Sequence, residues 1–219
     1  NQVFLVRHAL RADTEDPNWG KTAARPDDPP LSATGLQQAR AVGSYLKTKA
    51  VAAVYCSPFL RALQTAQMIY EETGVRFRVD EALSEWLRPT WFSAKPQFLS
   101  AEELRAQFSG YDASYVSSTV AVHPEQEESI EVYARVRVFL EALGQQESGN
   151  VVLVGHGASM TQAARALTGE AIGFQVAAVA EVERSDGQWR SKGSIVPHLL
   201  PKPDAQQTRP PEPDPKTAA

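Results

Sequence analysis

The sequence predicts a three-layer α/β/α fold, in which helices flank a mostly parallel sheet on both faces. Short apolar runs alternate with segments of helical periodicity, which is typical of repeated strand–helix units. Two of the apolar runs, residues 3–6 and 151–154, are continuous, as strands buried on both faces of a sheet are. The length of 219 residues suits one sizeable domain of this kind.

The composition restricts the classes of function. A net charge of −4 argues against broad contact with a nucleic-acid backbone, and no apolar run is long enough to span a bilayer. The single cysteine, Cys56, cannot form an internal disulfide, so an oxidising compartment is not indicated. We therefore expect a cytoplasmic protein, with the nucleus as the alternative, that binds neither nucleic acid nor membranes directly.

The first half of the chain supplies three strands and two helices. The strand at residues 3–6 is followed by a proline-rich loop and a helix that opens at Ser32, a natural N-cap. The apolar residues 51–55 predict the second strand. Helical spacing resumes over residues 59–73, and residues 75–79 predict a third strand. This order corresponds to two successive strand–helix units.

Residues from about 86 to 124 lose the strand–helix alternation, and we interpret them as an insertion. Aromatic side chains crowd this part of the chain: Trp86, Trp91, Phe92, Phe98, Phe108, Tyr111 and Tyr115. One interpretation is a satellite core beneath a long insertion. The other is a lid or pocket wall over an active site.

The second half returns to regular structure. Residues 125–143 predict a long helix that Gly144 ends. The strand at 151–154 follows, and small residues from about 159 to 167 predict another helix. The Asp186-Gly187 pair predicts the turn of a closing hairpin.

The chain therefore divides into one domain, residues 1–200, and a tail, residues 201–219. Seven prolines in the last 23 residues, with almost no apolar side chains after Leu200, predict a disordered segment. The tail is either a passive terminus or an arm that binds a protein partner. The sequence does not fix the oligomeric state.

Two of the predicted strands deliver histidines to their carboxyl ends. Arg7 and His8 directly follow the first strand, and His156 follows the strand at 151–154. In open α/β sheets, ligands bind beyond the carboxyl ends of the strands, so we expect both imidazoles to meet at one edge. For the first pattern alone, an ordinary surface turn is an equally good interpretation, and the second copy of the pattern favours a site.

Three further charged residues lie in loops that reach the same edge. Arg61 occupies the first turn of a helix, where the dipole disfavours a cation unless an anion binds there. Arg11 is three residues from His8, although a surface arginine fits this spacing equally well. Glu85 stands beside Trp86, and a carboxyl group against an indole suits a general acid.

Together these side chains predict a site for a phosphoryl group. Guanidinium forks match phosphoryl oxygens, and a neutral imidazole among cations can act as a nucleophile. Rival chemistries fail on spacing. Four residues separate Cys56 from Arg61, one fewer than a cysteine phosphatase loop needs. Residues 155–159 lack the Gly-x-Ser-x-Gly of a nucleophile elbow, and the sequence has no phosphate-binding Gly-x-x-x-x-Gly-Lys-Ser/Thr loop.

Four ordered motifs, spanning about residues 3 to 200, resemble those of the histidine phosphatase (phosphoglycerate mutase-like) superfamily. The motifs are Arg7-His8, LSATGLQQA at 31–39, SPFLRALQTA at 57–66 and GHG at 155–157. Within that superfamily, Glu85-Trp86 followed by Arg88-Pro89 resembles the phosphatase domain of ubiquitin-associated and SH3-containing proteins. It is equally similar to the phosphatase-like domain of a yeast RNA polymerase III transcription factor. The resemblance implies the phosphoglycerate mutase-like form of the three-layer fold.

The resemblance also implies a phosphoric monoester hydrolase, of the histidine acid phosphatase type, that acts on a small molecule or a phosphoprotein. His8 would become phosphohistidine, and Glu85 would protonate the leaving oxygen and then activate water. The phosphoryl group and the rest of the substrate would be held by Arg7, Arg11, Arg61, His156 and Trp86. No metal or other cofactor is implied, because the arginines neutralise the phosphoryl charge.

One residue departs from the family motif, which is usually Arg-His-Gly, because Ala9 replaces the glycine. Alanine would cost about 1 kcal/mol if the backbone φ there were positive, and little otherwise. Two alternatives stay open: a phosphoglycerate-type mutase, and a weakly active or inactive scaffold domain in a protein assembly such as a transcription complex. The aromatic insertion favours an apolar or aromatic leaving group, such as phosphotyrosine or a bulky small molecule.

Overall fold

The sheet is mixed but mostly parallel. In a computed structural model, which describes residues 1–92, 96–117 and 127–200, the strands are β1 (Gln2–Arg7), β2 (Val51–Cys56), β3 (Phe77–Val79), β4 (Asn150–Gly155), β5 (Val179–Ser185) and β6 (Gln188–Ile195). They lie in the order β3-β2-β4-β1-β5-β6. The first four in that order are parallel, and β5 and β6 add antiparallel pairs. The central strands β4 and β1 are the two continuous apolar runs.

Helices cover both faces of this sheet. The described helices are α1 (Ala12–Glu15), α2 (Trp19–Thr22), α3 (Ala33–Leu46), α4 (Leu60–Thr73), α5 (Ala101–Gln107), α6 (Ser129–Gln146) and α7 (Gly157–Thr168). Alternate residues of β1 point to opposite faces: Phe4 packs in a core cluster with α3 and α4, and Leu5 packs in a second cluster with α6 and α7. The predicted three-layer arrangement is confirmed.

Local signals in the sequence locate several element ends correctly. The Ser32 hydroxyl accepts from the N–H of Gly35 at 3.0 Å, as an N-cap does. Asp186 and Gly187 both have positive φ, which the two-residue hairpin between β5 and β6 requires. None of the described helices has the length and apolar character that crossing a bilayer demands.

Other element ends differ from the predicted ones. Gly144 does not end α6, which continues to Gln146. Glycine costs only about 1 kcal/mol inside a helix, and the helix is anchored beyond it because Glu147 accepts from the hydroxyl of Tyr55 at 2.8 Å and from Arg78 at 2.5 Å. α7 begins at Gly157, two residues earlier than expected, directly after β4. The predicted start of the long helix at residue 125 lies outside the described residues.

The predicted insertion contributes to two packing regions. Phe108 and Tyr111 join the main core on the α3–α4 face, whereas Phe92 and Phe98 form a small cluster with Phe59. The satellite-core interpretation therefore holds for part of this segment. The predicted proline-rich tail, residues 201–219, lies outside the described residues.

A glycine fixes the approach of α3 to the loop that follows His8. A Cβ added to Gly35 would lie 2.0 Å from the carbonyl oxygen of Leu10, a backbone atom. We therefore expect Gly35→Ala to lower the free energy of unfolding by roughly 1–3 kcal/mol, since the loop or the helix must shift. Urea unfolding measures the change.

The matched control is Gly144→Ala, at a helical position where, outside the local helix backbone, no atom of the described residues lies within 4 Å of the added Cβ. Greater helix propensity should raise the free energy of unfolding there by about 0.5–1 kcal/mol. Equal stability of the two variants would contradict this account of the packing.

Candidate active site

The register of two central strands brings the histidines together. β1 and β4 are parallel neighbours in which Arg7 lies opposite Gly155, so the next residue of each strand is a histidine. The N–H of His8 donates to the carbonyl of Gly155 at 2.9 Å. The imidazole rings of His8 and His156 lie with their centroids 5.1 Å apart, in an edge-to-face arrangement, and both are buried.

Arg61 reaches the same edge from the neighbouring strand. β2 lies beside β4, and the short segment after it leads into α4, so Arg61 lies in the first turn of that helix. Its guanidinium stacks on the ring of Phe59, at 4.5 Å from the centroid, and the side chain is only 1% exposed. Arg61, which the sequence predicts in the first turn of a helix, is therefore deeply buried.

Glu85 approaches from the loop after β3. One carboxylate oxygen, Oε2, lies 3.4 Å from Nδ1 of His156 and 3.7 Å from Nη2 of Arg61. The other oxygen accepts from the N–H of Trp86 at 3.0 Å. One imidazole nitrogen each of His8 and His156 and one carboxylate oxygen of Glu85 all lie within 4.8 Å of one another. The structure thus brings the carboxyl group and both imidazoles into one cluster.

Hydrogen bonds assign a tautomer to each imidazole. Nδ1 of His8 lies 2.8 Å from the carbonyl of Ala9, which can only accept, so Nδ1 carries the proton and Nε2 keeps its lone pair. Nε2 of His156 lies 2.8 Å from the hydroxyl of Ser57, whose oxygen already accepts from the N–H of Phe59. The described residues offer the Ser57 proton no other acceptor, so the hydroxyl donates to Nε2, and Nδ1 of His156 carries the ring proton on the side of Glu85.

Burial and neighbouring charge keep both rings neutral. Desolvation, and then the charge of Arg61, hold the pKa values of His8 and His156 well below the usual value for histidine. Burial also lowers the pKa of Arg61 to about 10, which leaves the guanidinium charged at neutral pH. The site therefore combines an uncharged nucleophile with fixed positive charge.

Several buried donors of this cluster have no hydrogen-bond partner within the described parts of the chain. They are Nε of Arg7, Nε and Nη1 of Arg61, and Nδ1 of His156. An unsatisfied buried donor costs about 1–3 kcal/mol, so such atoms at one place call for an explanation. An anion with several oxygens, such as a phosphoryl group, would satisfy them together.

A cavity of about 430 Å³ opens beside these groups. Arg7, Arg61 and Glu85 contribute charge to its lining, and Pro26, Pro29, Trp91 and Phe92 contribute apolar surface. Trp91 and Phe92 belong to the predicted insertion, so part of that segment forms a pocket wall as well as a small core.

Two predicted contact residues are placed differently from the rest. Arg11 lines the cavity, but its guanidinium fork binds the carboxylate of Asp13 at 2.9 and 2.8 Å. Trp86 is not among the described residues that line the cavity, and its indole N–H donates to the carbonyl of Glu127 at 2.6 Å. The structure therefore brings Arg7, His8, Arg61, Glu85 and His156 together, with Arg11 at the margin.

Ala9 introduces no backbone strain. Positive φ among the described non-glycine residues occurs at Ala50, Ala177 and Asp186, and not at Ala9. The methyl group is buried in the core, and the N–H lies 3.3 Å from the hydroxyl of Thr65. The backbone conformation at this position therefore does not require the usual glycine.

Sequence reasoning missed two residues that organise the site. Asp28 was part of a proline-rich loop signal, yet it is buried, accepts from the N–H of Leu60 at 2.8 Å and lies 3.8 Å from Nη1 of Arg61. Ser57, which fixes the tautomer of His156, begins the motif at 57–66, which supported the family resemblance but indicated no role for this hydroxyl. Neither role has a local sequence signal, because each depends on a partner distant in the chain.

With this geometry established, comparison with known proteins identifies the family. A model of the histidine phosphatase superfamily (branch 1) matches residues 3–194, and the chain belongs to that family. The resemblance inferred from the four motifs is confirmed.

Three relatives show which members of the family this chain is similar to. Human ubiquitin-associated and SH3 domain-containing protein A is 30% identical over 155 residues, 65% of this chain and 23% of the relative. The transcription factor tau 55 kDa subunit of Saccharomyces cerevisiae is 29% identical over 185 residues, 77% of this chain and 41% of the relative. An ecdysteroid-phosphate phosphatase of Drosophila melanogaster is 27% identical and covers 91% of this chain and 32% of that protein. The chain thus spans well under half the length of these relatives.

Solved structures support the fold. The ecdysone phosphate phosphatase of Bombyx mori, in complex with tungstate, superposes with a TM-score of 0.70 at 22% identity and covers 88% of this chain and 92% of that one. A mycobacterial glucosyl-3-phosphoglycerate phosphatase complexed with VO3 has a TM-score of 0.62 at 25% identity, with coverage of 88% and 97%. The phosphoglycerate mutase-like fold expected from the sequence is confirmed.

The neutral histidines should make stability depend on pH. Because the folded state lowers both pKa values, the unfolded state binds more protons below about pH 6.5, and the free energy of unfolding should fall as the pH falls. Each histidine contributes up to about 1.4 kcal/mol per pH unit in this range. Urea unfolding of the wild type between about pH 7.5 and 5 measures this slope.

The double variant His8→Gln, His156→Gln serves as the comparison, since carboxylates titrate in both proteins. We expect a shallower slope in the double variant. An identical slope in the two proteins would show that the imidazoles are not held neutral by the fold.

Proposed function

We propose that this chain is a metal-independent phosphomonoesterase that works through a phosphohistidine on His8. The observation that carries the proposal is a buried, neutral imidazole with a free Nε2 lone pair, set among guanidinium donors that lack partners in the described structure. Membership of the histidine phosphatase family supports the same chemistry.

In the first step, Nε2 of His8 attacks phosphorus as the bond to the leaving oxygen breaks. Arg7, Arg61 and Nδ1–H of His156 bind the phosphoryl oxygens and stabilise the charge that develops on them. Glu85, in its protonated form, gives its proton to the leaving oxygen, so an alcohol departs. The Ala9 carbonyl holds the proton on Nδ1 of His8 and keeps the attacking nitrogen oriented.

In the second step, water attacks the phosphorus of phosphohistidine and the N–P bond breaks. The Glu85 carboxylate takes the proton from the water molecule, which restores the acid form and the free imidazole. The products are an alcohol and inorganic phosphate, and both steps use the same bound oxygens. The chain's own groups therefore complete the cycle.

The same three donors, His8, Glu85 and His156, could instead hold a metal ion. The nearby charges favour the anion. Arg61 lies 3.7 Å from Glu85, is buried, and is the main charge that lowers both histidine pKa values. A divalent cation would be repelled by the same field that attracts a phosphoryl dianion.

We infer further that the leaving group is apolar or aromatic. The cavity wall made by Pro26, Trp91 and Phe92 suits such a group, and one relative is named an ecdysteroid-phosphate phosphatase. Trp91 is 53% exposed, so a leaving group stacked on it would bury apolar surface.

An aryl phosphate should accordingly have a lower KM than a small alkyl phosphate, and Trp91→Ala should reduce that preference several-fold. Steady-state kinetics on phenyl phosphate and ethyl phosphate measure both quantities. Equal KM values for the two esters in the wild type would refute the apolar leaving-group proposal.

The unit that carries this activity is, in our proposal, the domain at residues 1–200, with the insertion at about 86–124 as its pocket wall. We place it in the cytoplasm or the nucleus, on the basis of the single buried cysteine and of a relative named as a transcription factor subunit. That relative also supports the second candidate function, a phosphatase-fold scaffold within a protein assembly. In that case the tail at 201–219 would bind the protein partner.

Hydrolysis of p-nitrophenyl phosphate in the presence of EDTA tests the main proposal. We expect the wild type to be active, and His8→Ala to lose at least about 10³-fold in kcat because the covalent route is removed. His198→Ala, a histidine in the short helical turn at Pro197–Leu199, is the matched control and should retain activity.

Loss of activity on chelation would overturn the metal-independent mechanism. An inactive but folded wild type would favour the scaffold function. Conversion of a phosphoglycerate into its isomer, without release of phosphate, would identify a mutase instead.

A further inference from the structure

The segment that carries Glu85 has little secondary structure of its own. A 3₁₀ turn covers Glu81–Leu83, and the chain then runs without helix or strand through residue 88. No ladder of backbone hydrogen bonds fixes the Glu85 backbone in this stretch of the described chain. Its conformation must therefore depend on side chains from elsewhere in the fold.

Arg135, on α6, binds this segment with its guanidinium group. Nη1 donates to the carbonyl of Ala82 at 2.5 Å. Nη2 donates to the carbonyls of Ser84 at 3.0 Å and of Glu85 itself at 3.2 Å. Because the guanidinium also binds a carboxylate through Nε and Nη2, it serves more acceptors than the three N–H donors of a lysine can.

Glu127 holds Arg135 and the other side of the segment. Its carboxylate accepts from Nε of Arg135 at 2.6 Å and from Nη2 at 3.1 Å. Its backbone carbonyl accepts from the indole N–H of Trp86 at 2.6 Å, and its N–H donates to the carbonyl of Leu87 at 3.1 Å. Both side chains are nearly inaccessible to water, with exposures of 9% for Arg135 and 1% for Glu127.

The remaining carbonyl of the segment is bound from α7. The hydroxyl of Ser159 donates to the carbonyl of Leu83 at 3.1 Å. The oxygen of this hydroxyl also accepts from the backbone N–H of His156 at 3.0 Å. Each of the four successive carbonyls from residue 82 to 85 therefore binds a side chain of α6 or α7. The end of β4 that bears a histidine and the segment that bears the acid share one anchor.

These contacts determine where the Glu85 carboxylate points. With the backbone fixed and Oε1 bound to the N–H of Trp86, Oε2 is the oxygen that faces His156 and Arg61. A buried ion pair adds little net stability, whereas it can hold a neighbouring group in one geometry. Proton transfer needs that geometry, since a displacement of about 1 Å can cost about 10²-fold in rate.

We propose that Arg135, held by Glu127, is a positioning residue that aims Oε2 of Glu85 at the leaving oxygen of the substrate. This inference rests on the proposed role of Glu85 as general acid. Arg135 touches neither the substrate nor the reacting atoms, and it acts through the backbone of residues 82–85. Its loss should therefore reproduce the loss of the acid.

Leaving-group dependence distinguishes this role from simple stabilisation of the fold. p-Nitrophenolate departs readily without a proton, whereas phenolate needs one, so loss of an acid slows phenyl phosphate hydrolysis more. We expect Glu85→Gln and Arg135→Lys both to lower kcat/KM on phenyl phosphate, Arg135→Lys by about 10- to 100-fold, with a smaller loss on p-nitrophenyl phosphate. The rate compared between the two esters is kcat/KM, because it reports the step in which the leaving group departs and not the later hydrolysis of phosphohistidine. Arg137→Lys, on the exposed face of the same helix, is the matched control and should change neither rate.

The double variant Glu85→Gln, Arg135→Lys completes a cycle of variants. If Arg135 acts through Glu85, its substitution should cause no further change in the ratio of the two rates once the acid is gone. If Arg135→Lys does not fold, Glu127→Gln provides the test, because it keeps the side-chain volume and removes the charge that pairs with Arg135. It should shift the rate ratio in the same direction.

Two results would overturn the proposal, and they are distinguishable. If Glu85→Gln lowers both rates equally, the general-acid role itself is wrong, and the role of Arg135 falls with it. If Glu85→Gln is selective but Arg135→Lys and Glu127→Gln lower both rates equally, the acid role stands and the positioning role is wrong.

Discussion

The buried charge of Arg61 is the interaction on which the rest of the site depends. The guanidinium is almost completely inaccessible to water, and two of its nitrogens have no hydrogen-bond partner among the described residues. Burial and, after it, the field of Arg61 lower the pKa of both histidines, which keeps His8 able to attack. Asp28 and Glu85, at 3.8 and 3.7 Å, offset part of the cost of burying the charge without forming a tight ion pair. A group held this loosely can bind a phosphoryl oxygen without first breaking a strong internal contact.

The order of the strands places Arg61 beside the two histidines. The parallel neighbours β2, β4 and β1 end at one edge, so the segments that follow them bring Arg61, His156 and His8 to the same place. Cores on both faces hold these strands in register. The unsatisfied donors and the buried cation lower stability locally, and the surrounding apolar core makes this tolerable.

Much of this could be predicted from sequence, because the signals are local. Continuous apolar runs mark β1 and β4, and the second residue after each run is a histidine, His8 or His156. Arg61 stood out because a cation in the first turn of a helix opposes the dipole. Glu85 could be selected only from its neighbour Trp86 and from the family resemblance.

The remaining residues of the site could not be predicted, because their roles depend on contacts between distant segments. Asp28 reaches Arg61 across 33 positions, and Arg135 reaches the carbonyl of Glu85 across 50. The resemblance implied a substrate contact for Trp86, but its indole binds the Glu127 carbonyl, and Trp91 lines the cavity. Adjacent residues in an irregular segment can point in different directions, so the position of Trp86 next to the acid does not determine where its side chain lies.

The most direct test of the central claim is to trap the covalent intermediate. The wild type is mixed with p-nitrophenyl phosphate, whose leaving group departs without an acid. The reaction is quenched within one turnover under alkaline conditions that preserve phosphohistidine, and the peptides are mapped by mass spectrometry. The account predicts phosphate on His8, at a level that rises in Glu85→Gln because the attack of water is slowed. Turnover with no phosphohistidine at His8, or with phosphate on another residue, would contradict it.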